Sequence, residues 1–230
     1  MKRTILLFCL ILFITSLLSG QNSKPVTIKA GESISDYFPV NERYRYPVFT
    51  EGQCIFSNGR VFHAIFNYNF LSGEMEFIQL PDTMIITDKK DISSFAIAHD
   101  TFYYHNGYLE MIRSSQPIIY LKQSIVLKEV LKKGAMGTVN RNASSESLDI
   151  VVSGGISYNM KLDADMVFQK ISEYFFSTPG NDFIKFTRRN ILRILPGKEE
   201  VLKDYLKSEK IDFESRKDLL KLAEYVSSLQ

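Results

Sequence analysis

Cys54-Ile55-Phe56-Ser57-Asn58-Gly59-Arg60-Val61-Phe62-His63-Ala64-Ile65-Phe66-Asn67-Tyr68-Asn69 decides the fold class. Asn58-Gly59 is a dipeptide suited to a type I′ hairpin, because both central residues of that turn need positive φ. The flanking residues alternate with period two, which places Phe62, Ala64, Phe66 and Tyr68 on one face and Val61, His63, Ile65 and Asn67 on the other. The aromatic set is expected to face the core. Leu71-Ser72-Gly73 then turns the chain into residues 74–79, with Met75 and Phe77 inward and Glu74 and Glu76 on a solvated face. Asn106-Gly107 joins residues 102–105 to 108–113 in the same manner, and Gly154-Gly155 joins 148–153 to 156–162. The three glycine turns fall 48 residues apart, but their flanks do not match, so no repeat is inferred.

Two further strands are expected at 166–172 and 174–177, and Pro179-Gly180-Asn181 leads into 183–186. From Arg188 the apolar period becomes helical. Ile191, Leu192 and Leu195 form a short face ended by Pro196-Gly197, and Val201, Leu202, Tyr205 and Leu206 resume it. Ser215 is an N-cap with Asp218 three residues on, followed by the stripe Leu219, Leu222, Ala223 and Val226. The class is α+β: mainly antiparallel β-sheet, a sandwich or a meander, with a C-terminal group of short amphipathic helices. The divisions expected are a leader at 1–20, a β-rich domain at 21–186, and a helical segment at 187–230 packed on it.

The leader reading rests on Lys2 and Arg3 ahead of the apolar run from Ile5 to Phe13, followed by Ser16, Ser19 and Gly20. This is the pattern of a secretory signal peptide, too short for a comfortable span, with cleavage expected between Gly20 and Gln21. Without Lys2 and Arg3, 26 basic residues face 26 acidic ones. A neutral chain has no electrostatic footprint for nucleic acid. Cys9 lies in the leader, which leaves Cys54 alone, so the exported chain has no intramolecular disulfide. No transmembrane span is expected after cleavage.

HExxH, GxSxG, Walker A, SxxK and CxxC are all missing, which leaves enzyme status open and leaning to no. No cofactor is expected. The weak metal candidates are His99, Asp100 and His105, close together but at no closed-site spacing. Glu74 and Glu76 neighbour each other on one strand, whereas glycoside hydrolysis needs carboxylates facing across a cleft. Lys122, Lys128, Lys132, Lys133 and Arg141 give the middle of the chain a basic excess without interleaved aromatics, as solvated lysines do. Tyr44, Tyr46, Tyr103, Tyr104 and Tyr108 form a candidate aromatic contact surface, since alternate tyrosines must face different sides.

Gly59-Arg60-Val61 through Asn67-Tyr68-Asn69, Met75-Glu76-Phe77, Asn190-Ile191-Leu192-Arg193-Ile194-Leu195-Pro196 and Asp218-Leu219-Leu220 together resemble secreted envelope proteins of Bacteroidota, a group with no assigned activity. The resemblance implies an exported protein of the periplasm or outer membrane. It also implies a possible O-glycosylation signal at Asp82-Thr83-Met84, with Thr83 the acceptor. The expected role is a binding or interaction protein with a protein or glycan partner in the cell envelope. Two alternatives stay open: a secreted hydrolase, possibly glycan-directed, and a structural subunit of an envelope complex.

Overall fold

The computed structural model describes residues 22–133, 139–142, 161–177, 180 and 183–229. Strands β1 (Val26–Ile28), β2 (Thr50–Phe56), β3 (Val61–Asn69), β4 (Glu74–Gln79), β5 (Asp82–Ile85) and β6 (Ile92–Ile97) precede β7 (Asp100–Tyr104), β8 (Tyr108–Arg113), β9 (Ile118–Lys133), β10 (Val139–Asn142), β11 (Asp165–Ser177) and β12 (Phe183–Lys185). Two short helices, α1 (Ile34–Tyr37) and α2 (Val40–Arg43), lie between β1 and β2; α3 (Arg188–Ile191), α4 (Glu199–Ser208) and α5 (Arg216–Leu229) close the chain. The strands form one open antiparallel sheet in the order β1-β11-β9-β8-β7-β6-β2-β3-β4-β5, with β10 on β9 and β12 on β11. The protein is therefore α+β, built on a single sheet and not on a sandwich.

Two local readings change and one holds. Asn58-Gly59 does not make a type I′ turn: only Gly59 has positive φ, Gly59 N–H donates to Phe56 O at 2.9 Å, and Phe56 N–H donates to Arg60 O at 2.9 Å. That is the three-residue hairpin in which a left-handed glycine follows a type I turn. Asn106 and Gly107 both have positive φ, as a type I′ turn demands. The expected strands at 166–172 and 174–177 are one strand, β11, since Glu173 stays in the ladder opposite Lys122 and its carboxylate meets Lys185 at 2.7 Å. The expected hairpin around Gly154-Gly155 lies outside the described residues.

A flat sheet would hold β3 about 24 Å from β9, five strand spacings away. Here the two touch. Tyr68 Oη donates to Gln123 O at 2.8 Å, and Ile125 N–H donates to Phe70 O at 2.7 Å. The sheet is curled until its concave face is filled by Phe66, Tyr68, Phe95, Ile97, Phe102 and Tyr108, with edge-to-face contacts such as Phe66 to Phe95 at 5.6 Å. The 86–91 strap adds a tie: Lys89 Nζ meets the Glu74 carboxylate at 2.6 Å and lies 5.3 Å from the Tyr104 ring centre.

A second core sits at the other end of β9 and β11. Ile119, Leu121, Tyr174 and Phe176 meet Phe186, Ile191, Leu195, Leu202, Leu206, Leu219, Leu222 and Val226 of the C-terminal segment. Ser215 caps α5 as expected, its Oγ accepting from Asp218 N–H at 3.3 Å. Val201, read as part of the apolar stripe, is exposed. Between the two cores Gln123 Nε2 donates to Ser172 Oγ at 3.2 Å, a polar row across the shared pair of strands.

Tyr68→Phe deletes the hydroxyl that joins β3 to β9 and leaves the Gln123 carbonyl without that donor. A loss of ~1–3 kcal/mol in unfolding free energy is expected from urea titration; an unchanged midpoint would show that the curl is held without it.

Candidate functional site

The segment after α2 runs along the end of β3. Arg45 N–H donates to Tyr68 O at 2.9 Å, Phe70 N–H donates to Arg43 O at 2.8 Å, and the Asn67 amide both accepts from Tyr46 N–H at 3.0 Å and donates to Tyr46 O at 2.9 Å. This places three successive side chains against the sheet. Tyr44 Oη donates to Glu76 Oε2 at 2.7 Å, and Asn69 Nδ2 donates to Glu76 Oε1 at 2.8 Å. Glu76, expected on a solvated face, is 6% exposed, because the Tyr44 segment covers it. Arg45 grips Glu110 through Nε at 2.8 Å and Nη2 at 3.0 Å, and the same Nη2 reaches Asp100 at 3.0 Å. Tyr46 Oη donates to Asp100 at 2.8 Å.

Asp100 and Glu110 are thus two carboxylates from neighbouring strands converging on one cation. Their hydrogen bonds are directed at Arg45 and Tyr46, an arrangement that holds the segment down. Burial, first, and the hydrogen bond to the Asp100 carboxylate, second, push the Tyr46 phenol up, while the paired hydrogen bonds to Glu110 raise the Arg45 guanidinium further. Sequence reading missed Glu110 and Arg45. Glu110 occupies an ordinary strand position between Leu109 and Met111, and only the tertiary fold brings Arg45 to it.

His99, Asp100 and His105 are not brought together. His99 and His105 are exposed, Asp100 is engaged by Arg45 and Tyr46, and His105 packs 5.2 Å from the Phe183 ring. Among the described residues no group of three or more His, Cys, Asp or Glu side chains is arranged to hold a metal ion. Cys54 is buried, and burial pushes its thiol up to about 11, so it behaves as an inert apolar side chain.

The five tyrosines divide by strand parity. Tyr44 and Tyr46 are half-buried and spend their hydroxyls on Glu76 and Asp100. Tyr104 and Tyr108 face each other across the β7–β8 hairpin on the inward side, but Tyr108 is 1% exposed whereas Tyr104, beside the turn, is 36% exposed. Tyr108 is therefore part of the core and not of a contact surface. Tyr103, one residue out of phase, projects from the outer face. There it meets Tyr120 at 5.6 Å and Phe183 at 6.0 Å, Tyr120 meets Phe183 at 4.9 Å, and His105 completes the group. Tyr103 and Phe183 are half-buried, His105 is exposed, and Tyr120 is buried with its hydroxyl 3.3 Å from Ser177 Oγ. Lys185 and Glu173 form an ion pair beside this cluster on the same face.

A second outer-face feature lies over β6, β2 and β3. Glu51, Gln53, His63, Ile65, Ala96 and Ala98 surround an open depression of about 550 Å³. The small side chains of Ala96 and Ala98 make it hollow, and at Gly52 beneath it a Cβ would approach Ala96 O to 2.7 Å. No protein-family model, curated protein or solved structure matches the chain.

Lys170, on β11, lies with Nζ 3.5 Å from the centre of the Phe70 ring. Desolvation, outweighing Glu42 and reinforced by Arg45, lowers its amine to about 8 from the ordinary 10.5. Between those pH values the unfolded chain binds more protons at this position than the folded one, so stability rises with pH across the window and is lost as pH falls through about 8. Above about 10 the unfolded tyrosines ionise while buried Tyr68 resists, and the trend reverses. The Tm of the wild type is expected to climb relative to that of Lys170→Met between pH 8 and 10. Parallel curves would remove Lys170 as the source.

Proposed function

We propose that the protein is an exported binding protein of the periplasm or outer membrane, and that the outer aromatic cluster of Tyr103, Tyr120, Phe183 and His105 is its ligand-contacting face. The observation that carries this reading is the group of rings on a sheet face that the helices do not cover, with Tyr103 and Phe183 half-buried, His105 exposed, buried Tyr120 behind them and the Lys185–Glu173 pair beside them. Rings partly open to solvent offer the flat apolar face of a sugar a stacking surface, and neighbouring charged groups supply hydrogen bonds to its hydroxyls. A glycan of the cell envelope is the ligand class this combination suits. Export is supported by the Lys2-Arg3 and apolar leader pattern, and none of the described helices is long and apolar enough to cross a membrane. Thr83, the proposed glycosylation acceptor, stands exposed on β5.

One observation favours a structural-subunit reading beside it. Val61, Phe62, Ile65, Leu80, Met84 and Ile85, all on β3, β5 or the turn before β5, are exposed large apolar side chains, with Phe62 and Met84 on the concave face and Val61 and Ile65 on the outer one. Patches of that kind mark protein contacts.

The mature chain from Gln21 tests the binding reading on a glycan array, followed by calorimetry with the retained oligosaccharide. Binding of one glycan class is expected, weakened about tenfold by Tyr103→Ala or Phe183→Ala, equivalent to ~1.4 kcal/mol. Failure to retain any glycan, or affinity that both substitutions leave unchanged, would overturn it. Fractionation of the native cell is expected to place a form beginning at Gln21 in the envelope; a cytoplasmic chain that keeps its leader would overturn the export reading.

A further inference from the structure

The sheet ends at β5, and the outer edge of β5 carries no neighbouring strand among the described residues. All four of its residues are exposed, with Met84 at 43% and Ile85 at 45%, and Leu80 just before it at 87%. Natural edge strands are guarded by lysines, bulges, prolines or a covering segment. Thr83-Met84-Ile85-Ile86-Thr87 has no charge and no proline, and is rich in residues that favour strands. Lys89, the nearest cation along the chain, is turned inward to Glu74 and leaves the edge unguarded. Pro81 and Asp82 stand only at its start.

We propose that this edge is an interface for a second copy of the chain, with β5 pairing antiparallel to β5 of the partner subunit about a twofold axis at Met84. Register and charge select that occupant. Phe66 stands opposite Phe77, and Phe77 opposite Met84, so an apolar row already crosses β3, β4 and β5 on the concave face. Phe62 reinforces it, 5.4 Å from the Phe77 ring. Centring the axis on Met84 sets Met84 opposite its own counterpart and continues that row unbroken into the partner. On the other face Thr83 meets Ile85 of the partner subunit. Opposed residues in an antiparallel pair share a face, so the axis must fall on a residue if both concave faces are to stay on one side.

Centring it on Ile85 would put Asp82 against Asp88 of the partner subunit. The Met84 register instead separates the two Asp82 carboxylates by four residues, about 14 Å along the strand. That exceeds the screening length of about 8 Å at physiological salt, so their repulsion is small. The pairing is isologous and closes as a dimer, without propagating a fibre.

The proposal stands on the β5 edge and is independent of the glycan reading. Sedimentation equilibrium of the mature chain across the micromolar range is expected to show a monomer–dimer equilibrium. Met84→Lys should abolish the dimer while circular dichroism remains that of the wild type and the Tm matches that of the dilute, monomeric wild type, since the side chain is solvent-exposed in the single chain. Under mild oxidation Met84→Cys is expected to form a covalent dimer, because the substituted residue faces itself across the axis while Cys54 stays buried. A wild-type monomer at every concentration, a dimer that survives Met84→Lys, or a Met84→Cys chain that does not cross-link overturns the proposal.

Discussion

The pairing of β9 with β11 is the constraint on which the rest depends. It runs from Ile118 opposite Ser177 to Leu131 opposite Asp165, with a single irregularity at Val167 and Phe168. One end of this ribbon supplies Ile125, Leu127 and Phe168 to the core of the curled sheet, and the other supplies Ile119, Leu121, Tyr174 and Phe176 to the helices. Without it the C-terminal helices have no apolar floor. α4 and α5 are short, and helices of their length owe their stability to packing and not to propensity. The polar row of Gln123 and Ser172 then separates two apolar clusters that share the same two strands.

Curling has a chemical consequence. Because β3 bends over to meet β9, the concavity is filled by the protein's own rings, and the polar groups brought inside must be satisfied. Arg45 answers Glu110 and Asp100, Tyr44 and Asn69 answer Glu76, and Asn67 answers the backbone of Tyr46. Breaking such a set by deleting one member is costly, since it leaves a partly buried charge uncompensated. These residues hold the segment before β2 in place, and that segment in turn supplies the carbonyl and amide groups that complete the end of β3. The strongest polar constellation in the molecule is thus part of its scaffold.

How much of this the residues announce depends on whether the signal is local. Asn106-Gly107 needed nothing beyond its own backbone preference, and the alternation in β3 named Phe66 and Tyr68 as core residues. β6 went unread, because the turn that joins it to β7 passes through Ala98 at positive φ, a residue that gives no glycine or asparagine signal there. Phe62 alternates correctly onto the concave face yet is 38% exposed, since it lies where neither strap nor helix covers the sheet. Parity along β7 and β8 was readable and separates Tyr103 from Tyr104 and Tyr108. That Tyr108 is buried while Tyr104, beside the turn, stays 36% exposed follows only from the curl. Glu76 was misread because nothing in the period of β4 tells that Tyr44, which precedes β3 in the chain, will fold back across it.

A sheet that fills its own concavity has few places left for recognition. The inner face is occupied by Phe66, Phe95, Phe102 and Tyr108, and the far half of β9 and β11 by the helices. What remains open is the outer face and the β5 end, and these differ in chemistry. The outer face combines rings with an imidazole, an ion pair and a shallow depression bearing a carboxylate and an amide, groups that suit a polar ligand. The β5 end offers aliphatic side chains and unpaired backbone groups, which suit another strand. The aromatic cluster, which reaches β7 through Tyr103, is separated from β5 by β6, β2, β3 and β4, so occupying the edge leaves the aromatic face free. A twofold pairing through β5 would also keep both outer faces on the same side of one continuous sheet. If both proposals hold, such a dimer would carry two aromatic faces, and weak single-site affinity for a repeating glycan would be multiplied by effective concentration.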